Sequence, residues 1–161
     1  MRRKDILGER ELSFLWELEK NKVPFMVVGL SSAALQGAPV VTQDVDLWFK
    51  SLQHRGIRKA LARVGGVYVP PLPSSQHPPM FAGDAVELFD IVIQMDGLKS
   101  FDAEVKNALD VSLGRFAIKV LPLERVMASK RAANRVKDRL VLPVLRDALL
   151  ALKTAQAQTG H

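Results

Sequence analysis

Cysteine is absent from the 161 residues, which excludes disulfides and thiolate metal sites. Histidine occurs three times, at His54, His77 and His161. The three share no ligand spacing, and all read as surface residues. Aromatic residues make up only 6% of the chain, leaving no exposed-looking stripe on which RNA bases could stack. No stretch approaches the roughly 18 apolar residues of a membrane span. The start, "MRRKDILGERELSFLWELEK", is basic but turns acidic before an apolar run can make a signal peptide. These absences lead to the expectation of a soluble, cytoplasmic chain with no membrane partner. With no repeat and no linker, one domain is expected over 1–161, with a core at about 9–153 and a frayed tail at 154–161.

What is present is a globular composition, 48% hydrophobic and 25% charged, with enough chain for one real core. The net charge of +6 favours polyanionic company such as nucleotides, RNA or DNA. Its distribution says more than its sum, because Lys130, Arg131, Arg135, Lys137 and Arg139 crowd into one short segment.

Periodicity predicts a helix over 9–21, ended by Asn21 and Lys22, and then a short apolar strand, "PFMVVG". Ser31 or Ser32 is expected to cap a helix through Leu35, with Gly37 and Pro39 closing it. "DVDLWFK" alternates like a strand, and Ser51 is expected to cap a helix carrying Ile57, Leu61 and Val64. Five of the nine prolines fall in "YVPPLPSSQHPPM", an extended loop between short strands. A strand is expected over about 86–94, a helix from Ser100 to about Leu109, and a strand in "RFAIKVLP". Leu123 to Ala133 reads as a helix. A last helix starts near Lys137, interrupted or restarted at Pro143. The fold class is therefore α/β (α+β), a mixed twisted sheet flanked by helices.

Two aspartates stand two apart in a strand, Asp44 and Asp46, so both point to one face with Val45 behind them. Ten aspartates would give roughly 0.6 D-x-D triplets by chance, so the triplet alone is weak. Asp90 changes the odds. It lies in the apolar run "ELFDIVIQM", where a carboxylate must be paired, at an edge, or bound to a cation. If the two strands adjoin, three carboxylates converge, and their repulsion is relieved by one or two divalent ions. Oxygen-only ligands favour Mg²⁺ or Mn²⁺ over zinc. Such a site performs phosphoryl or nucleotidyl transfer, with Asp44 and Asp46 as ligands and Asp90 at the attacking hydroxyl. Upstream, Gly29 ends a strand and opens a helix, where a phosphate is favoured and Ser31 or Ser32 can donate to its oxygens.

Taken together, "VVGLSSAALQGAPVVTQDVDL" and "ASKRAANRVKDRL" resemble the DNA polymerase β-like nucleotidyltransferase superfamily. The likeness is to its minimal bacterial and archaeal branch, similar to the abortive-infection-type toxin nucleotidyltransferases, and it covers about residues 23 to 150. It implies a nucleotidyltransferase fold that moves a nucleoside monophosphate from a nucleoside triphosphate to a hydroxyl-bearing acceptor: an RNA end, a protein or a small molecule. It implies that Asp44, Asp46 and Asp90 bind metal and do the catalysis, and that Gly29, Ser31 and Ser32 bind phosphate. Lys130, Arg135 and Lys137 would lie near the triphosphate or acceptor, with Asp138 orienting them. An antitoxin partner is a further implication.

The chain departs from that pattern at Leu30, where Gly or Ser is usual, and at Gln36 and Val40, where relatives often carry His and Arg. Two rival readings follow. One is a catalytically degenerate nucleotide-binding module of a toxin–antitoxin pair, and the other is a basic RNA-binding protein whose aspartates are incidental.

Overall fold

The apolar run Phe25–Val28 forms strand β1, and all four of its side chains are buried. A strand hidden on both faces needs no polar alternation, and this one lies at the centre of a five-stranded sheet. The computed structural model describes residues 7–74 and 76–159. The first six residues of the basic start and His161 lie outside the described residues.

In chain order the elements are α1 (Glu9–Lys20), β1, α2 (Gly29–Leu35), β2 (Val45–Phe49), α3 (Arg55–Val64), β3 (Val67–Val69), β4 (Met80–Ala82), β5 (Phe89–Val92), α4 (Phe101–Val105), β6 (Leu109–Ser112), β7 (Ala117–Val120), α5 (Leu123–Ala133) and α6 (Val136–Thr159). The sheet order is β5–β2–β1–β7–β6. β1 is antiparallel to β2 and parallel to β7, β5 is parallel to β2, and β6 is antiparallel to β7. β3 and β4 form a separate antiparallel pair that flanks the proline loop. A mixed sheet with helices on both faces is what the sequence predicts. Among the described residues no helix is long and apolar enough to cross a membrane.

The two-residue period of the strands sorts side chains between two cores. Phe25, Val27, Val45, Leu47 and Phe49 pack with Phe14, Leu15 and Leu18 of α1 and with Ile57 and Leu61 of α3. Met26, Val28 and Trp48 turn to the other face, where Val126 and Met127 of α5 and Leu145 of α6 cover them. Trp48 is buried edge-on against Phe101, with ring centroids 5.6 Å apart. It belongs to the core. By the same alternation Asp46 lies on the α5–α6 side of the sheet.

Several elements differ from the sequence reading, each for a local reason. α2 starts at Gly29 with Val28 as its N-cap and no side-chain cap, so neither Ser31 nor Ser32 caps it. α3 is capped by His54, whose Nδ1 accepts from the Gly56 N–H at 3.0 Å, and not by Ser51. The expected strand at 86–94 is only Phe89–Val92, because Val86 and Glu87 both donate to the Gly83 carbonyl and hold a turn. The helix after Ser100 stops at Val105, and "LDVS" at 109–112 pairs with β7 as an edge strand. Its alternation, with Val111 buried and its neighbours exposed, is a strand signal that helical spacing from Val105 obscured. α6 runs unbroken through Pro143 to Thr159, where an interruption or restart was expected. Pro143 removes a bond to the carbonyl of Arg139, and both residues are exposed, so water can satisfy it.

Candidate active site

The site is assembled where β1 ends, β2 and β5 begin, and α5 meets α6. Gly29 has φ +66°, a conformation in which a side chain is strained. A Cβ there would also collide with Oδ2 of Asp46. The missing side chain is therefore required twice, once by the turn and once by the carboxylate beside it. Gly29→Ala is expected to cost about 1–2 kcal/mol from the left-handed backbone alone and to displace Asp46. A thermal-unfolding midpoint and a metal titration would register both effects.

Asp46 and Asp90 are direct partners on the parallel strands β2 and β5, so the neighbouring strands that the sequence reading required are present. Asp44 precedes β2 and lines the same cavity, of about 350 Å³. The three charges act on one another. Asp46 is pushed up to about 6, first by burial, then by Asp90 and, more weakly, by Asp44. Burial and Asp44 raise Asp90 as well.

Opposite them stands the basic segment. Lys130 and Arg131 stand in the last turn of α5, Asn134 turns the chain in the left-handed region, and Lys137 lies in the first turn of α6. Lys130, Arg135 and Lys137 all line the acidic cavity. Asp138 is fully buried beneath them. Its carboxylate accepts from Nε of Arg135 at 2.7 Å, from Nη2 at 3.3 Å and from the Arg135 backbone N–H at 3.1 Å. Nζ of Lys130 lies 3.4 Å from Oδ1. Burial alone would raise the Asp138 carboxyl, but the Arg135 hydrogen bonds and the Lys130 charge outweigh it and hold the group at about 2.

The serines need correction. Ser31 and Ser32 are completely buried and line neither cavity at the site. The Ser31 hydroxyl donates to the Val28 carbonyl at 2.7 Å and accepts the Asp46 backbone N–H at 3.1 Å. The Ser32 hydroxyl donates to the Leu121 carbonyl. Both are spent on the scaffold, Ser31 by fixing the strand that carries Asp46. Gln36, which the sequence reading took as a lost polar contact, has a similar task. Its amide donates to the Leu121 carbonyl at 2.9 Å and accepts the Leu123 N–H at 3.0 Å, tying α2 to the start of α5. Val40 is core, and Leu30 lines the acidic cavity. Sequence reasoning missed Thr42 and Ser129. Thr42 lines the same cavity and donates to the Asp44 carbonyl at 2.7 Å.

A divalent ion fits the chemistry of these donors, which are oxygen only and mutually repulsive. Among the described residues no three His, Cys, Asp or Glu side chains are grouped closely enough to hold an ion by themselves. An ion at this site would need further ligands from substrate phosphates and water beside one or two of the carboxylates.

The five-stranded mixed sheet flanked by helices is a fold that the chain shares with solved structures. The chain is similar to the crystal structure of ANT(2″)-Ia in complex with adenylyl-2″-tobramycin, with a TM-score of 0.56 and 13% identity over 88% of each chain. It is also similar to the solution structure of the antibiotic-resistance factor ANT(2″)-Ia, with a TM-score of 0.56 and 12% identity over 94% of each chain. No family model and no curated protein matches the chain.

Proposed function

We propose that this chain is a metal-dependent nucleotidyltransferase that moves a nucleoside monophosphate from a nucleoside triphosphate to a hydroxyl-bearing acceptor, and that its one domain carries the whole reaction. The observation that carries this reading is the side-by-side pairing of Asp46 with Asp90 in a cavity that also holds Asp44, Lys130, Arg135 and Lys137. The solved structure with an adenylylated aminoglycoside supports the reaction type, since adenylylation is such a transfer.

In this reading Mg²⁺ or Mn²⁺ would be held by one or two carboxylates at a time from Asp44, Asp46 and Asp90, together with the phosphates of the donor. When bound, the ion lowers the pKa of the attacking hydroxyl and offsets the charge of the phosphates. The chain's own groups do the rest. Gly29 lets Asp46 approach the turn, Ser31 fixes the strand, and Lys130, Arg135 and Lys137 attract the anionic donor. The acceptor oxygen bonds to the α-phosphorus while the bond to the bridging oxygen of pyrophosphate breaks. Its electron pair leaves with pyrophosphate, and Asp90 accepts the hydroxyl proton.

The test is thermal unfolding with each of the four nucleoside triphosphates, with and without Mg²⁺ or Mn²⁺. Ligand at a hundred times its dissociation constant should stabilise by about 2.7 kcal/mol, and Asp44→Asn/Asp46→Asn should lose the gain. No shift with any nucleotide on a folded wild type would sink the reading. A second reading, a module that binds nucleotide without transfer, is favoured by Leu30 in the cavity. A transfer assay with radiolabelled nucleotide and a broad acceptor pool separates the two.

A further inference from the structure

Two cavities open onto Asp46. The larger contains Asp44 and Asp90, while a second, of about 210 Å³, lies between Gly29, the loop after β5 and α5. Asp46, Lys130 and Arg135 line both, so they form the boundary between them. The loop wall is held against α5 by Gly97, which has φ +71° and whose added Cβ would run into Ala132.

Ser129 of α5 lines only this smaller chamber. It is 8% exposed, and its hydroxyl makes no hydrogen bond to any protein group among the described residues. Helical hydroxyls elsewhere behave differently: Ser13, Thr154 and Thr159 each bond back to the carbonyl four residues earlier. Every fully buried side-chain polar atom among the described residues has a partner, so the unpaired hydroxyl of Ser129 is one that reaches the chamber. A largely enclosed hydroxyl with no protein partner is left for water or for a ligand in the chamber it faces.

The charges divide the same way. Asp44, Asp90 and Asp138 line only the larger cavity, as does Lys137, so its acids outnumber the one added cation and suit a hydroxyl beside Asp90. The smaller chamber has one acid of its own, the exposed Asp96, whose charge acts on Arg135. Besides the shared Asp46, its remaining polar wall offers the Lys130 ammonium, the Arg135 guanidinium, the Gln94 amide and the Ser129 hydroxyl, four donor groups suited to phosphate oxygens.

We propose that the smaller chamber takes the pyrophosphate end of the nucleoside triphosphate and that Ser129 donates to one of its oxygens, an assignment that rests on the nucleotidyl-transfer reading above. It gives Ser129 the phosphate contact that Ser31 and Ser32 cannot make. Isothermal titration of wild type and Ser129→Ala with inorganic pyrophosphate, the best-stabilising nucleoside triphosphate and its monophosphate, all with Mg²⁺, tests it. Alanine favours the helix, so the variant is expected to fold. The expected result is about tenfold weaker binding of pyrophosphate and triphosphate, the size of one hydrogen bond to a charged group, with the monophosphate changed less than twofold. Equal loss for the monophosphate would move Ser129 to the nucleoside and overturn the assignment. Unchanged pyrophosphate affinity, with metal-dependent triphosphate binding intact, would overturn it and leave the transferase reading standing. If wild type binds no triphosphate with any ion, both fall.

Discussion

Asp46→Asn is expected to stabilise the metal-free protein while reducing nucleotidyl transfer by at least about a thousandfold. Both effects come from the same carboxylate. In the folded chain Asp46 is pushed to about 6, by burial first and then by Asp90, whereas in the unfolded chain it returns to about 3.9. The folded state therefore holds more protons than the unfolded state between about pH 4 and pH 6. Stability from this group is highest at the acidic end of that window and falls as pH rises through it. Above pH 6 the ionised carboxylate opposes folding by up to about 3 kcal/mol. Asparagine removes the charge but also deprives Lys130 of a nearby anion, so the net gain should be about 1–2 kcal/mol. At this chain length that is a rise of roughly 3–6 °C in Tm at pH 7. Urea titrations of wild type and variant in EDTA, from pH 4.5 to 7.5, would show the wild-type slope and its disappearance in the variant. Saturating Mg²⁺ should flatten the wild-type curve in the same way. A variant less stable than wild type at pH 7 would show that Asp46 is held by attraction and is not strained by repulsion.

The pairing on which that prediction rests was legible in outline. The triplet of Asp44 and Asp46 and the misplaced polarity of Asp90 suggested a shared site if their two strands adjoined, and β2 and β5 do. The period of two also assigned the face correctly, with Val45 buried and Asp46 turned the other way. The serines failed because a hydroxyl after a glycine turn carries the same sequence signal whether it faces a ligand or the Leu121 carbonyl 89 positions away in the chain. A local pattern cannot report such a partner. Ser129 was invisible for the complementary reason. It stands in a helix among basic residues with no motif around it, and only packing shows that its hydroxyl is enclosed and unpaired. The edge strand β6 was lost to competition between two short apolar periods, decided in the fold by pairing with β7 and by the ion pair of Asp110 with Lys119 at 2.7 Å.

Asp138 should prove the most expensive residue to remove from the basic side of the site. Asp138→Ala is expected to destabilise the protein by about 3–5 kcal/mol, the usual result of breaking a buried pair and stranding its partner. The stranded group is Lys130, whose side chain is only 16% exposed, whereas Arg135 is 57% exposed and can turn to water. Asp138→Asn keeps an acceptor for the Arg135 N–H and should lose less. The acid limb of stability gives an independent reading. The folded Asp138 is held at about 2, below its unfolded value, because the Arg135 bonds and the Lys130 charge outweigh burial. Its contribution is complete above about pH 4 and is lost as pH falls towards 2, a change of about 2 kcal/mol that neither variant should show. The residue also works at a distance. Lys130 is shared between Asp138 and Asp46, lowering both, so freeing it from Asp138 lets it turn fully to Asp46. Asp138→Asn should therefore bring the Asp46 titration down from about 6, and combining it with Asp46→Asn should give a non-additive stability change of at least about 0.5 kcal/mol. Additive single and double variants would mean that the two carboxylates do not compete for one ammonium. The acidic and basic halves of the site would then be independent neighbours.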